Sequence, residues 1–155
     1  DAALGDELPE VVTLHTPRDL ALYALAVGAG TSPTDPAELA LVYEGAGGGL
    51  KPLGTFGTIP VLNAIMQLAA EGKTAPGLRY GLDRVLHGEQ LLELKKPLPP
   101  SGKLTHRARI KDIFDKGKHA LVVTETRTTD ESGDEVLRAE IVTVVRGAGG
   151  FGGER

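Results

Sequence analysis

The stretch from Thr58 to Gly72 is apolar on nearly every side, and it stands just ahead of a half-chain patterned for strands. Val61, Leu62, Ala64, Ile65, Met66, Leu68 and Ala69 are interrupted only by Asn63, Gln67 and Glu71. Those three are spaced four apart, so on a helix they share one stripe. A helix this apolar is expected to be buried on most sides. Thr58 is the expected cap and Gly72 the stop. Downstream the period changes. Over 103–114, Leu104, His106, Ala108 and Ile110 alternate with Thr105, Arg107, Arg109 and Lys111, the pattern of a strand with one covered face.

The rest of that half continues in strands. A strand is expected over 89–95, closed by Pro97-Leu98-Pro99-Pro100. Asp115-Lys116-Gly117 turns the chain into a β-branched stretch over 119–129. Glu131-Ser132-Gly133-Asp134 reads as a hairpin loop into a last strand over 136–146, with Leu137, Ala139, Ile141 and Val145 on one face. His106 and His119 read as ordinary strand residues. A long antiparallel sheet needs its apolar face covered, and the 61–71 helix is the available cover. The fold class is therefore α+β.

Ahead of the apolar helix, Thr16-Pro17-Arg18-Asp19 opens a first helix with Thr16 as cap and Asp19 positioned for a capping box. Leu20, Tyr23, Ala24 and Val27 form one face, and Gly28 or Gly30 ends it. Asp35-Pro36 and Glu38 start a short helical turn running into 39–43. The stretch 45–60, rich in glycine and bounded by Pro52 and Pro60, reads as a loop.

Composition narrows the function classes. There are three Phe, three Tyr and no Trp, so the core must be aliphatic. No cysteine is present, which excludes disulfides and thiol catalysis and weakens any zinc reading. Net charge is −4 without a basic run, which speaks against nucleic acid as a partner. No apolar run reaches the ~18 residues of a membrane span, and no signal-like N-terminus is read. The expected compartment is a reducing one. The chain opens on Asp1 without Met and reads as a trimmed piece, or half of something larger.

Two motifs exceed turn chemistry: Leu86-His87-Gly88-Glu89-Gln90 and Gly149-Gly150-Phe151-Gly152-Gly153. One loop needs about one glycine, not four around an aromatic ring. Phe151 is expected to be packed. Together with Leu22–Ala29, Val42-Tyr43-Glu44-Gly45, Pro52-Leu53-Gly54-Thr55-Phe56-Gly57, Leu92-Glu93-Leu94, Lys96-Pro97-Leu98-Pro99 and Asp115-Lys116-Gly117-Lys118, they follow in the order found in another group of proteins. The chain resembles the N-terminal half of the type 2 enoyl-CoA hydratases, MaoC-like proteins of the double hotdog kind.

The resemblance implies a hotdog fold, in which a curved antiparallel sheet wraps around one central helix. It implies a domain over 1–146, with 147–155 leading toward a second, catalytic hotdog on the same gene or on a separate subunit. A homodimer is the other expected partnership. The implied activity is hydration of trans-2-enoyl-CoA to (R)-3-hydroxyacyl-CoA. The CoA thioester is the substrate and no cofactor is needed. The implied compartment is the cytoplasm of a bacterium or the peroxisome of a eukaryote, with neither nucleic acid nor membrane as partner.

Members of that group carry an Asp and a His in the loop before the central helix. Between Gly45 and Pro60 this sequence has no Asp, Glu or His. The departure matches the N-terminal half, which lacks the motif, so no residue here is assigned as catalytic. The implied substrate-binding residues are Phe56, His87, Gly88, Gly150, Phe151 and Gly152. His87 reads equally as a strand-entry histidine bonded to nearby backbone, and Glu89 and Gln90 as partners of the glycine loop. The glycine run reads also as a linker between halves. Glu44 is a candidate base or a paired structural acid. Glu71 is the acid that a hotdog thioesterase would use, or an exposed residue of a last turn. Arg107, Arg109 and Lys111 could meet CoA phosphates, or form a solvated outer face. A binding module without chemistry is the alternative reading of the whole.

Overall fold

The computed structural model describes residues 3–73, 75 and 77–153. The ends of the expected division, residues 1–2 and 154–155, lie outside them. Five strands form one antiparallel sheet: β1 (Val11–His15), β2 (Val85–Leu94), β3 (Gly102–Lys116), β4 (His119–Thr129) and β5 (Glu135–Val145). Their spatial order is β1-β3-β4-β5-β2, so β1 and β2 are the edges. Among the described residues three α-helices precede β2: α1 (Pro17–Ala26), α2 (Pro36–Val42) and α3 (Thr58–Ala70).

The expected alternation holds from Leu104 to Ile110, and a bulge at Lys111 ends it before 114. Leu104, His106, Ala108 and Ile110 are all buried on the inner face of the sheet, and α3 lies across it. Val61 of α3 joins Leu104, Val136, Leu137, Ala139 and Ile141 in one core cluster. Further along, Ala64 and Leu68 pack on Val11 of β1. The hairpin at 131–134 also forms, held by the Asp130 carboxylate, which accepts from the N–H groups of Ser132 (3.0 Å) and Asp134 (3.1 Å). At the start of α1 the capping box is complete: Thr16 Oγ1 accepts from Asp19 N, and the Asp19 carboxylate accepts from Thr16 N at 2.8 Å.

Several expectations are corrected. β1 is a five-residue strand that the sequence pattern does not announce, too short to show a period. β2 begins at Val85 rather than at 89, because a bulge between His87 and Glu89 resets the register and hides the alternation. Thr58 does not cap α3. It is the first helical residue, and a 3-10 turn (Gly54–Gly57) delivers the chain into the helix without a side-chain cap. α3 is covered on one side only: Pro60, Val61, Ala64 and Leu68 are buried, while Ile59 and Met66 remain exposed. On α1, Leu20 and Ala24 are buried as expected but Val27 is exposed, since the helix stops at Ala26.

Candidate functional site

The site is built from the end of the sheet that α3 does not cover. There Ala120, Val122 and Val145 present a small-residue apolar surface. It is roofed by residues outside the strands and helices: Ala3, Ala75, Leu78, Tyr80 and Ala148. Irregular backbone with small side chains fills space poorly, and a cavity of about 640 Å³ remains. That volume lies within the roughly 300–1,000 Å³ usual for small-molecule sites. Its walls include Leu78, Tyr80, Ile113, Val122, Val145 and Phe151, with Arg79 and Asp112 as charged groups on the lining. Burial pushes the Tyr80 phenol above its ordinary range, so it stays protonated there.

One wall of this cavity is the glycine run. Asp115, at the end of β3, is 4% exposed and faces inward. Its carboxylate accepts from the N–H groups of Gly117 (2.8 Å), Gly150 (2.9 Å) and Gly152 (2.7 Å). These donors, with that of Phe151, hold its carboxyl below the usual carboxylate range. The run is also tied to the β3–β4 turn, where Gly147 N–H donates to His119 Nδ1 at 3.1 Å. The partner of the glycine loop is thus Asp115, not Glu89 or Gln90. Glu89 is exposed, and the Gln90 amide donates to the Leu91 carbonyl at 3.3 Å. Phe151 is not packed as expected: it is 53% exposed, with its ring on the cavity.

The implied substrate-binding residues fall into separate places. Gly150, Phe151 and Gly152 come together around Asp115. Phe56 lies at the other end of the sheet. It is buried in the α3 core cluster, 5.7 Å from the His15 ring and 5.6 Å edge-on from Tyr23. Beside it, Leu137 packs against Gly57; Val145 of the cavity is eight residues further along β5, roughly 26 Å at ~3.3 Å per residue. His87 sits on β2 opposite Thr143 and is exposed. Gly88 is the bulge residue. A Cβ there would lie 3.1 Å from the Val142 carbonyl oxygen, which explains the glycine inside His-Gly-Glu.

The remaining acids and bases have plain roles. The Glu71 carboxylate is exposed at the end of α3, 2.6 Å from Lys73 Nζ and bonded by Gln67. Glu44 is exposed, and no ion pair to it occurs among the described residues, contrary to the paired structural acid expected. Arg107 pairs with Glu10 (2.7 Å), Arg109 with Glu125 (2.9 Å) and Lys111 with Glu140 (2.6 Å), so the basic strand face is a solvated, neutralised one. His15 is 5% exposed, with Nε2–H donating to the Pro99 carbonyl at 2.8 Å.

Residues 14–147 match the family described as the MFE-2 hydratase 2 N-terminal domain. The chain belongs to this family. It is 38% identical, over 97% of its length, to "Enoyl-CoA hydratase 2, peroxisomal" from Arabidopsis thaliana, and it covers 48% of that protein. It is 40% identical over 99% of its length to "Peroxisomal multifunctional enzyme type 2" from Mus musculus, covering 20% of it. The chain thus spans half or less of these relatives. A MaoC-like dehydratase from Phytophthora capsici superposes with a TM-score of 0.76 at 24% identity, over 97% of this chain and 50% of that one. That likeness shows the fold: the sheet over α3 is a hotdog, as the resemblance implied. The hydratase 2 N-terminal domain here has its clasped glycine run at one end of the sheet and its α3 entrance at the other. Asp115 is the residue that sequence reasoning missed. Its Asp-Lys-Gly turn and the glycine run are both visible in the sequence, but nothing there joins positions 35 apart.

Proposed function

We propose that this chain is the non-catalytic N-terminal hotdog of an (R)-specific 2-enoyl-CoA hydratase, and that it shapes the pocket for the acyl chain. The observation that carries this is the entrance of α3. The 3-10 turn Gly54–Gly57 and the first turn of α3 contain no acid and no imidazole. His15, against Phe56, is shut away from solvent with its ring bonded to a backbone carbonyl. Hydration needs a base to take a proton from water as the hydroxyl adds at C3. It also needs fixed donors for the enolate that forms before C2 is protonated. This chain offers the pocket, and a second hotdog supplies the base. The substrate-binding residues of the reading are Phe151, Gly150 and Gly152 at the cavity, with Phe56, His87 and Gly88 along the sheet.

The second hotdog pairs along β2. That strand is a sheet edge, and it leaves Leu86, Leu91 and Leu94 exposed. An exposed apolar edge strand favours pairing with another strand. The other hotdog is a catalytic half, fused or separate; a second copy of this chain is the other partnership. No cofactor takes part in the reaction proposed. No helix among the described residues is long and apolar enough to cross a membrane, and the relatives named above are peroxisomal by name. For this chain the peroxisome of a eukaryote or the cytoplasm of a bacterium is proposed.

A spectrophotometric assay of enoyl-CoA hydration tests the division of labour. The chain alone is expected to be inert and to gain activity on addition of a catalytic hotdog. Turnover by the chain alone overturns the reading. The Asp115-side cavity also favours a second reading, an acyl-CoA-binding module without chemistry, which predicts binding without turnover even when a catalytic half is present.

A further inference from the structure

Phe151 is half exposed, its ring turned against Gly153, and the chain on both sides of it is fixed: Gly150 N–H and Gly152 N–H both end on the Asp115 carboxylate. The run also lies flush on the β3–β4 turn. A Cβ on Gly149 would strike the backbone of Gly117 and His119, so only glycine allows this approach. A run of glycines left to itself would be a flexible linker. Here a buried carboxylate with several charge-assisted hydrogen bonds converts it into a rigid strap. The strap carries one large side chain, and that residue lines the cavity together with Tyr80, Ile113 and Val122.

We propose that Asp115 is a positioning residue which clasps the glycine run, and that the Phe151 ring so placed limits how bulky an apolar group the cavity admits. This rests on the acyl-chain reading of the cavity and adds the residues that set its selectivity. Straight acyl chains pass beside the ring, and chains bearing a ring or branch collide with it. The bonds to the buried carboxylate fix the backbone on both sides of Phe151, so the point from which its ring projects stays beside the cavity, and moving that point means losing hydrogen bonds that are costly to break.

The test measures binding of two probes, hexanoyl-CoA and cyclohexylacetyl-CoA, by calorimetry on the whole chain. Amide hydrogen exchange at Gly150 and Gly152 is followed in parallel. Phe151→Ala changes a half-exposed side chain, so the fold is expected to stand. In this variant the ratio of the two dissociation constants should shift toward the bulky probe by about tenfold, the scale of one small apolar group in a pocket. Asp115→Asn should accelerate exchange at Gly150 and Gly152 and shift the ratio the same way. Asp115→Glu should restore part of both. If the wild-type chain binds both probes and Phe151→Ala leaves the ratio unchanged, the wall role falls while the acyl pocket stands. If the wild type binds neither, the acyl reading falls and the wall role with it. If Asp115→Asn speeds exchange but leaves the ratio alone, the clasp is structural only and the positioning role is overturned.

Discussion

The two ends of the sheet's inner face are made from similar strands and finish differently. Under α3, Leu104, Val136, Leu137 and Ala139 are fully buried against a helix that presents Val61. At the other end, Ala120, Val122 and Val145 are just as apolar, but their cover is loop and glycine, and a cavity stays open. A helix brings a row of side chains at regular spacing and can interlock with a pleated surface; irregular backbone brings few. The contrast teaches that the pocket is placed by the cover and not by the sheet. It also separates stability from ligand capacity along a single set of strands.

The largest effect should come from the packed end. Leu137→Ala removes a fully buried side chain that touches Gly57 and should cost about 2–5 kcal/mol, the usual range for such truncations. Urea unfolding followed by circular dichroism reads it. A loss below that range would mean that the core under α3 is looser than its burial implies, and the comparison would weaken.

Acid should separate the ends next. His106 is buried between β1 and β4, with Thr13 Oγ1 at 2.8 Å and Thr128 Oγ1 at 2.9 Å, and burial pulls its pKa down to about 4. A neutral ring donates from one nitrogen and accepts at the other, which satisfies both threonines. The folded state therefore resists a proton that the unfolded chain takes up below about 6.5. The stabilisation is complete above that value and is lost as pH falls from 6.5 toward 4, at a cost of ~3 kcal/mol from this group. Asp115 behaves differently. Its carboxyl lies below the ordinary 3.8, so its contribution is present above that value and fades only when pH falls through the lower folded value. Protection factors of the β1–β3 amides, taken against the intrinsic exchange rate at each pH, should fall with acid well before those of Gly150 and Gly152. His106→Gln should flatten the stability profile over this window; an unchanged profile would remove His106 as its cause.

Filling the cavity should move function more than stability. Ala148→Leu adds volume to open space beside Val145 and should cost less than the roughly 1–3 kcal/mol of overpacking a filled core. Affinity for an acyl-CoA should fall sharply, as read by calorimetry. A large destabilisation would show the space to be closed in solution.

Much of this architecture was legible because it depends on period. The 104–110 alternation, the hairpin at Asp130–Asp134 and the Thr16–Asp19 box are each local patterns, settled by neighbours in sequence. What was hidden depends on distance or on interruption. β1 is too short to show its period, and Gly88 breaks the period of β2. The exposed face of α3 reads as core from its composition, because apolar residues there are not all matched by a cover. The cavity and its strap were least legible. Glycines around an aromatic predict that something is approached closely, but the thing approached, Asp115, sits far away in the chain. The expectation of a packed Phe151 failed for the same reason: the long-range hydrogen bonds are made by the backbone around it, and the ring is left half exposed.

The smallest effect is expected midway between the two ends, on the opposite surface. Lys111 lies at the β3 bulge and reaches Glu140 on β5 at 2.6 Å, across the outer face. Such exposed pairs gain little, since water solvates both charges and two long side chains must be ordered to meet. Lys111→Met should leave the thermal midpoint and acyl-CoA affinity unchanged at physiological salt. The result bears on the contrast because this pair ties together strands that run beneath both the packed core and the cavity. If its removal shifted either quantity, the two ends would be coupled through the outer charges, and the cover on the inner face would no longer suffice to explain why one end is solid and the other open.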